Sequence, residues 1–233
     1  MKHCCDTTRK SFVALSTSIL ALLTQVSDAA TIVNNASWPA SPDFQTVDAN
    51  TASPGGRGIS GTRQIRQTIQ TSSDIDLTHI YLSSSNYNNE AFTIKFFEVS
   101  DVEASSWTAG SQVGSTITVA AAGTTVIGPS NLQISLNLAE QFTLSARNSG
   151  TQGYGIEIAL ANTSDPFAFI WQHANDTTDY ITGRYYNESG TAQLSYRDMG
   201  IALVNIPEPG SLTIFGSLCG LILLRRSRNR SYA

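Results

Sequence analysis

The chain has 233 residues and a formal charge of −4, with 41% hydrophobic and only 14% charged residues, so its surface must be carried by Ser, Thr, Asn and Gln. This length suits one domain with terminal appendages. Between Ala30 and Ile206, seven Arg/Lys stand against fifteen Asp/Glu, a formal −8; an acidic body without a basic patch excludes nucleic acid as a partner, and solubility outside the cell is the plain meaning of the acidity.

Residues 1–29 read as a secretory signal peptide. Lys2, Arg9 and Lys10 form a positive start, Phe12 to Val26 an apolar stretch, and Ser27-Asp28-Ala29 a small-residue site for a cut before Ala30. Cys4 and Cys5 fall in this segment and Cys219 in the apolar run near the other end, so the body between has no cysteine and no disulfide framework.

Residues 30–61 form an extended lead-in with one edge strand at most, since Pro39, Pro42, Pro54 and Gly55-Gly56 interrupt any regular pattern. From 62 to 205 the period is two. Ile75 to Leu82 reads as one apolar stretch, and Phe92-Ile94-Phe96, Ile117-Val119, Leu132-Ile134-Leu136-Leu138 and Phe142-Leu144-Ala146 alternate with polar residues. Tyr154-Ile156-Ile158-Leu160, Phe167-Phe169-Trp171 and Ile201-Leu203 continue the pattern, and no amphipathic helix interrupts it. Eight to ten short strands with Gly, Asn and Asp turns predict an all-β fold, an antiparallel β-sandwich of jelly-roll or Ig-like arrangement.

The chemical inventory of this body is thin. Without cysteine there is no thiolate nucleophile or thiolate zinc site. His79 sits in an apolar strand and reads as structural. No nucleophile elbow, zinc-protease helix or phosphate-cradling loop occurs, and no catalytic residue, metal ligand or cofactor is assigned. The segment "WQHANDTTDYITGRYY", Trp171 to Tyr186, is the place to look for a ligand. Trp171, Tyr180, Tyr185 and Tyr186 beside His173, Asp176, Asp179 and Arg184 offer rings for sugar C–H faces and polar groups for hydroxyls; the same alternation also suits plain core packing. Asp176 and Asp179 would be the oxygen donors of a calcium loop, but the alternating-acid pattern of such a loop is absent. The Asn-x-Ser/Thr sequons at Asn35, Asn162, Asn175 and Asn187 reflect polar composition.

Residues 206–230 change character again. Pro207 and Pro209, on either side of Glu208, forbid a helix interior, Ser211 is a fit cap, and Leu212 to Leu224 is an uncharged run of thirteen residues. A helix of that length spans about 20 Å, short of the roughly 30 Å hydrocarbon core, so it crosses only with local thinning and snorkelling arginines. Arg225, Arg226, Arg228 and Arg230 come next, stop transfer, and leave the body outside by the positive-inside rule.

This order of Pro207-Glu208-Pro209, short apolar helix with Gly216 and Gly220, and arginine cluster resembles the PEP-CTERM sorting signal of Gram-negative bacteria that make extracellular polysaccharide. The resemblance covers about the last 28 residues. It implies recognition near Pro207-Glu208-Pro209 by an exosortase, a membrane-embedded cysteine protease, and release or transfer to the outer surface or matrix. Residues 62–204 also loosely resemble the β-sandwich ectodomains of anchored bacterial surface proteins, by strand order and composition. Two readings result: an exported, non-enzymatic surface or matrix protein associated with exopolysaccharide, or a carbohydrate-binding or carbohydrate-active sandwich using Trp171 to Tyr186.

Overall fold

The computed structural model describes residues 29–48, 54–174, 181–194 and 197–206. Fourteen strands succeed one another, and no helix occurs among the described residues. The first seven are β1 (Thr31–Val33), β2 (Phe44–Gln45), β3 (Pro54–Ile59), β4 (Gln64–Ile69), β5 (Ile75–Leu77), β6 (His79–Tyr87) and β7 (Phe92–Val99). The rest are β8 (Gln112–Val119), β9 (Val126–Ser135), β10 (Phe142–Leu144), β11 (Gly153–Leu160), β12 (Phe169–Ala174), β13 (Tyr185–Tyr186) and β14 (Ile201–Val204).

A seven-stranded sheet runs β1-β9-β6-β12-β3, with β14 joined to the first half of β6 and β2 joined to β14. A five-stranded sheet runs β13-β4-β11-β7-β8, and β5 with β10 makes a two-stranded ribbon. All strand pairs are antiparallel; an isolated bridge, Ala30 to Val119, is parallel and links the first residues to the five-stranded sheet. This is the architecture of a β-sandwich, and the alternation seen in sequence is what builds it. Ile65, Ile69, Phe92, Ile94, Phe96, Ile156 and Ile158 of the five-stranded sheet share one core with Leu82, Leu132, Ile134, Phe169, Trp171 and Leu203 of the seven-stranded sheet. Phe92 meets Phe169 edge-on at 4.9 Å across the layers. Each such side chain contributes about 1.5–3 kcal/mol by leaving water.

Several expectations are corrected. The apolar stretch from Ile75 to Leu82 is two strands: Thr78 intervenes, and β5 pairs with β10 while β6 enters the seven-stranded sheet. The lead-in supplies three strands, because β1, β2 and β3 pair with β9, β14 and β12. Leu138 does not continue its strand; Asn137 accepts backbone N–H bonds from Ala139 and Glu140, the chain turns, and Leu138 is 68% exposed.

Register places Thr31, Ser135, His79 and Val204 in one row across β1, β9, β6 and β14. The described body therefore begins and ends at the same end of the seven-stranded sheet. Its last residues are tied down: Asn205 N donates to Asp43 Oδ2 at 2.7 Å and Ile206 N to Thr78 Oγ1 at 2.8 Å.

Candidate functional site

The aromatic segment singled out in the sequence lies inside the protein. Alternation along β12 turns Trp171 inward, where it is 0% exposed and its indole N–H donates to Gly200 O at 3.0 Å. Tyr185 and Tyr186 are each 1% exposed. A sugar ring stacks only on an open aromatic face, so the glycan contact expected of Trp171, Tyr185 and Tyr186 is not available. Tyr180, Asp176 and Asp179 lie outside the described residues, as do the sorting motif Pro207, Glu208 and Pro209, the run 212–224, and Arg225, Arg226, Arg228 and Arg230.

What the segment builds instead is a polar seam between the sheets. Tyr185 faces Gln67 in the β13–β4 register, accepts a hydrogen bond from Arg57 Nε at 3.1 Å, and stacks on the His173 ring with centroids 5.7 Å apart. The fully buried Gln67 amide donates to Thr68 O and Asp198 Oδ1 and accepts from Met199 N at 3.0 Å, joining β4 to the approach of β14. His173 Nδ1 lies 2.8 Å from Ala174 O and donates to it, which leaves Nε2 as the unprotonated nitrogen of a neutral ring. Burial, with the positive charges of Arg197 and Arg57 nearby, holds its pKa below the ordinary value. Gly55 opposite is obligatory, since a Cβ there would come within 2.3 Å of the ring. Burial raises the pKa of Tyr185 and Tyr186, so both phenols stay protonated. His79, half-buried at the start of β6, bonds through Nδ1 to Thr78 Oγ1, as a structural histidine does. No group of three or more His, Cys, Asp or Glu is arranged for a metal among the described residues.

The outer face of the five-stranded sheet carries the exposed chemistry. Arg66, Glu157 and Lys95 stand opposite one another on β4, β11 and β7. Arg66 Nε donates to Glu157 Oε2 at 2.8 Å, with both side chains about 10% exposed, and its guanidinium also bonds Gln64. The pair is shielded by Trp107, whose ring centre lies 5.4 Å from the Arg66 guanidinium carbon. Trp107 also meets Phe97 at 6.1 Å and Tyr186 at 5.7 Å, both edge-on. Tyr186 points outward on β13 yet is buried, because residues 100–111 fold back over it; its hydroxyl donates to Ala104 O at 2.8 Å. Gly155 makes this approach feasible: a Cβ there would stand 2.2 Å from the Trp107 ring.

Beyond this lid the face is open. A trough of about 490 Å³ is lined by Thr62, Gln64, Thr93, Lys95, Thr116 and Thr163 over an Ala159 floor. Composition alone gave no sign of Trp107, Arg66, Glu157 or Lys95 as a cluster. The available signal was the glycine in "GYGIEIAL", since a glycine inside a strand marks a close approach. No family model, curated protein or solved structure matches the chain.

Proposed function

We propose that this is an exported surface or extracellular-matrix protein without catalytic activity. On this reading residues 1–29 direct export, the run 212–224 holds the product in the inner membrane in transit, and an exosortase acts near Pro207-Glu208-Pro209 to pass the body to the surface or matrix, where it associates with exopolysaccharide. The two-sheet body is then a sandwich of the jelly-roll or Ig-like kind. The observation that carries the reading is the order in sequence of Pro-Glu-Pro, thirteen uncharged residues and four arginines behind an acidic, cysteine-free body. In keeping with it, the chain after β14 is hydrogen-bonded to the body as far as Ile206, the residue before Pro207.

The test is the location of an epitope-tagged chain with Pro207, Glu208 and Pro209 intact or replaced together by alanine. Retention of the alanine variant at the inner membrane is the expected result. Unchanged delivery to the surface, or accumulation of the product with its first 29 residues intact in the cytoplasm, overturns the proposal.

A further inference from the structure

Lys95 is the single lysine between Ala30 and Ile206. The β7–β8 register slips between Ile94 and Phe96, so Lys95 has no partner on β8, the kind of irregularity that re-aims a side chain. It lines the trough with the hydroxyls of Thr62, Thr93, Thr116 and Thr163 and the amide of Gln64. Arg63 stands exposed between Thr62 and Gln64, and neither it nor Lys95 has an ion-pair partner among the described residues. Arg66 is neutralised by Glu157. One lysine without a salt bridge among the described residues thus shares a depression with several hydroxyls, in a body whose formal charge is −8; Arg63 lies beside the trough in the chain but does not line it.

We propose that this trough binds a uronate-bearing polysaccharide, one sugar carboxylate pairing with the Lys95 ammonium while neighbouring hydroxyls bond to Thr62, Thr163 and Gln64. The volume lies within the usual span of ligand sites, about 300–1,000 Å³. The lining favours a sugar over a peptide, because it has no aromatic residue and its one branched aliphatic, Leu160, is only 5% exposed, which leaves little anchor for an apolar side chain. The acidic remainder of the surface disfavours a polyanion as dense as nucleic acid, whereas a uronate chain presents its carboxylates one ring apart. The site names the chemical class of the polysaccharide partner in the function proposed above and rests on that reading only for the polysaccharide being present.

The test measures binding of tetragalacturonate and of its methyl ester to the full chain, in the unaltered form and as Lys95→Gln. The ester keeps every hydroxyl and removes the charge. Loss of one charge-assisted contact at a half-buried position corresponds to about a tenfold weakening. Accordingly the unaltered chain binds the acid about tenfold more tightly than the ester, Lys95→Gln binds both with the affinity of the ester, and added salt removes the preference. Arg147→Gln, on the paired Arg147–Glu98 site elsewhere, leaves the preference intact. Equal affinity for acid and ester, an undiminished preference in Lys95→Gln, or no binding of either probe at millimolar concentration overturns the proposal. Failure of this site leaves delivery of the chain to the surface unchanged, so the two proposals fall separately.

Discussion

Replacing Gly155 by alanine tests the lid on the five-stranded sheet. The added methyl would sit 2.2 Å from Trp107 Cη2 and 2.5 Å from Cζ3, well inside an ordinary carbon contact of about 3.5–4.0 Å, so the indole must move by more than about 1 Å. Overpacking of this kind costs about 1–3 kcal/mol. Displacing the ring also weakens its edge contacts with Phe97 and Tyr186, each worth about 0.5–1.5 kcal/mol, and its shielding of Arg66. Against these losses, replacing glycine in an extended conformation gains about 0.4–1 kcal/mol through the unfolded chain. The net expectation is a destabilisation of about 2–3 kcal/mol in urea unfolding, with tryptophan emission shifted to longer wavelength as Trp107 becomes wetter. The decisive measurement is a double-mutant cycle with Trp107→Ala. If the indole is the obstacle, Gly155→Ala becomes neutral or mildly stabilising in that background. A cost that persists at full size without Trp107 would refute the reasoning, because the clash would then lie elsewhere.

Three further outcomes rest on named contacts. Glu157→Gln strips a shielded guanidinium of its counter-charge, although Gln64 and Trp107 remain beside it; the loss is about 1–3 kcal/mol, and Arg66→Met/Glu157→Leu together lose less than the sum of the singles, as thermal unfolding reads. His173 has a folded-state pKa below its ordinary 6.5, so the unfolded chain binds the proton more readily. The associated stability is complete above about pH 6.5 and falls as pH drops from there toward the depressed value, a slope that His173→Gln flattens in urea titrations at successive pH values. Glu140, 5% exposed, accepts from Thr118 N and Asn137 N at 3.1 and 3.2 Å; Glu140→Ala orphans both amides and costs about 1–3 kcal/mol in the same assay.

The layers of the sandwich were legible because period-two alternation is a direct record of which residues face a neighbouring sheet. Phe92-Ile94-Phe96 and Ile156-Ile158 are buried as their spacing implies. Where an outer face is covered, the alternation fails. Tyr81, Ala202 and Val204 are buried on the outer side of the seven-stranded sheet, packed with Ala36 and Trp38 from the lead-in, and Ser83, Ser84 and Ser85 are buried in succession on β6. No local pattern announces that a distant segment will fold over a face. The same blindness explains the aromatic segment. Composition placed Tyr185 and Tyr186 together in a polar loop, whereas adjacent residues on a strand point to opposite sides, one ring entering the seam at His173 and the other the pocket beneath Trp107. Lys95 was invisible for a related reason: it lacks a partner on β8 because of a register slip that sequence does not encode locally.

The shared row of Thr31, Ser135, His79 and Val204 also fixes how the body responds to mechanical load. The two ends of the described body are three strand spacings apart, about 14–15 Å, and a tug between them acts across the strands rather than along them. Such a tug parts the ladders one bond after another, as a zipper opens, and meets little resistance. Tension between Ile206 and the opposite layer must instead shear β14 out from between β6 and β2 with many bonds loaded at once. A body of this build yields easily when both its ends are pulled apart and holds when drag on its outer face is borne by one end alone.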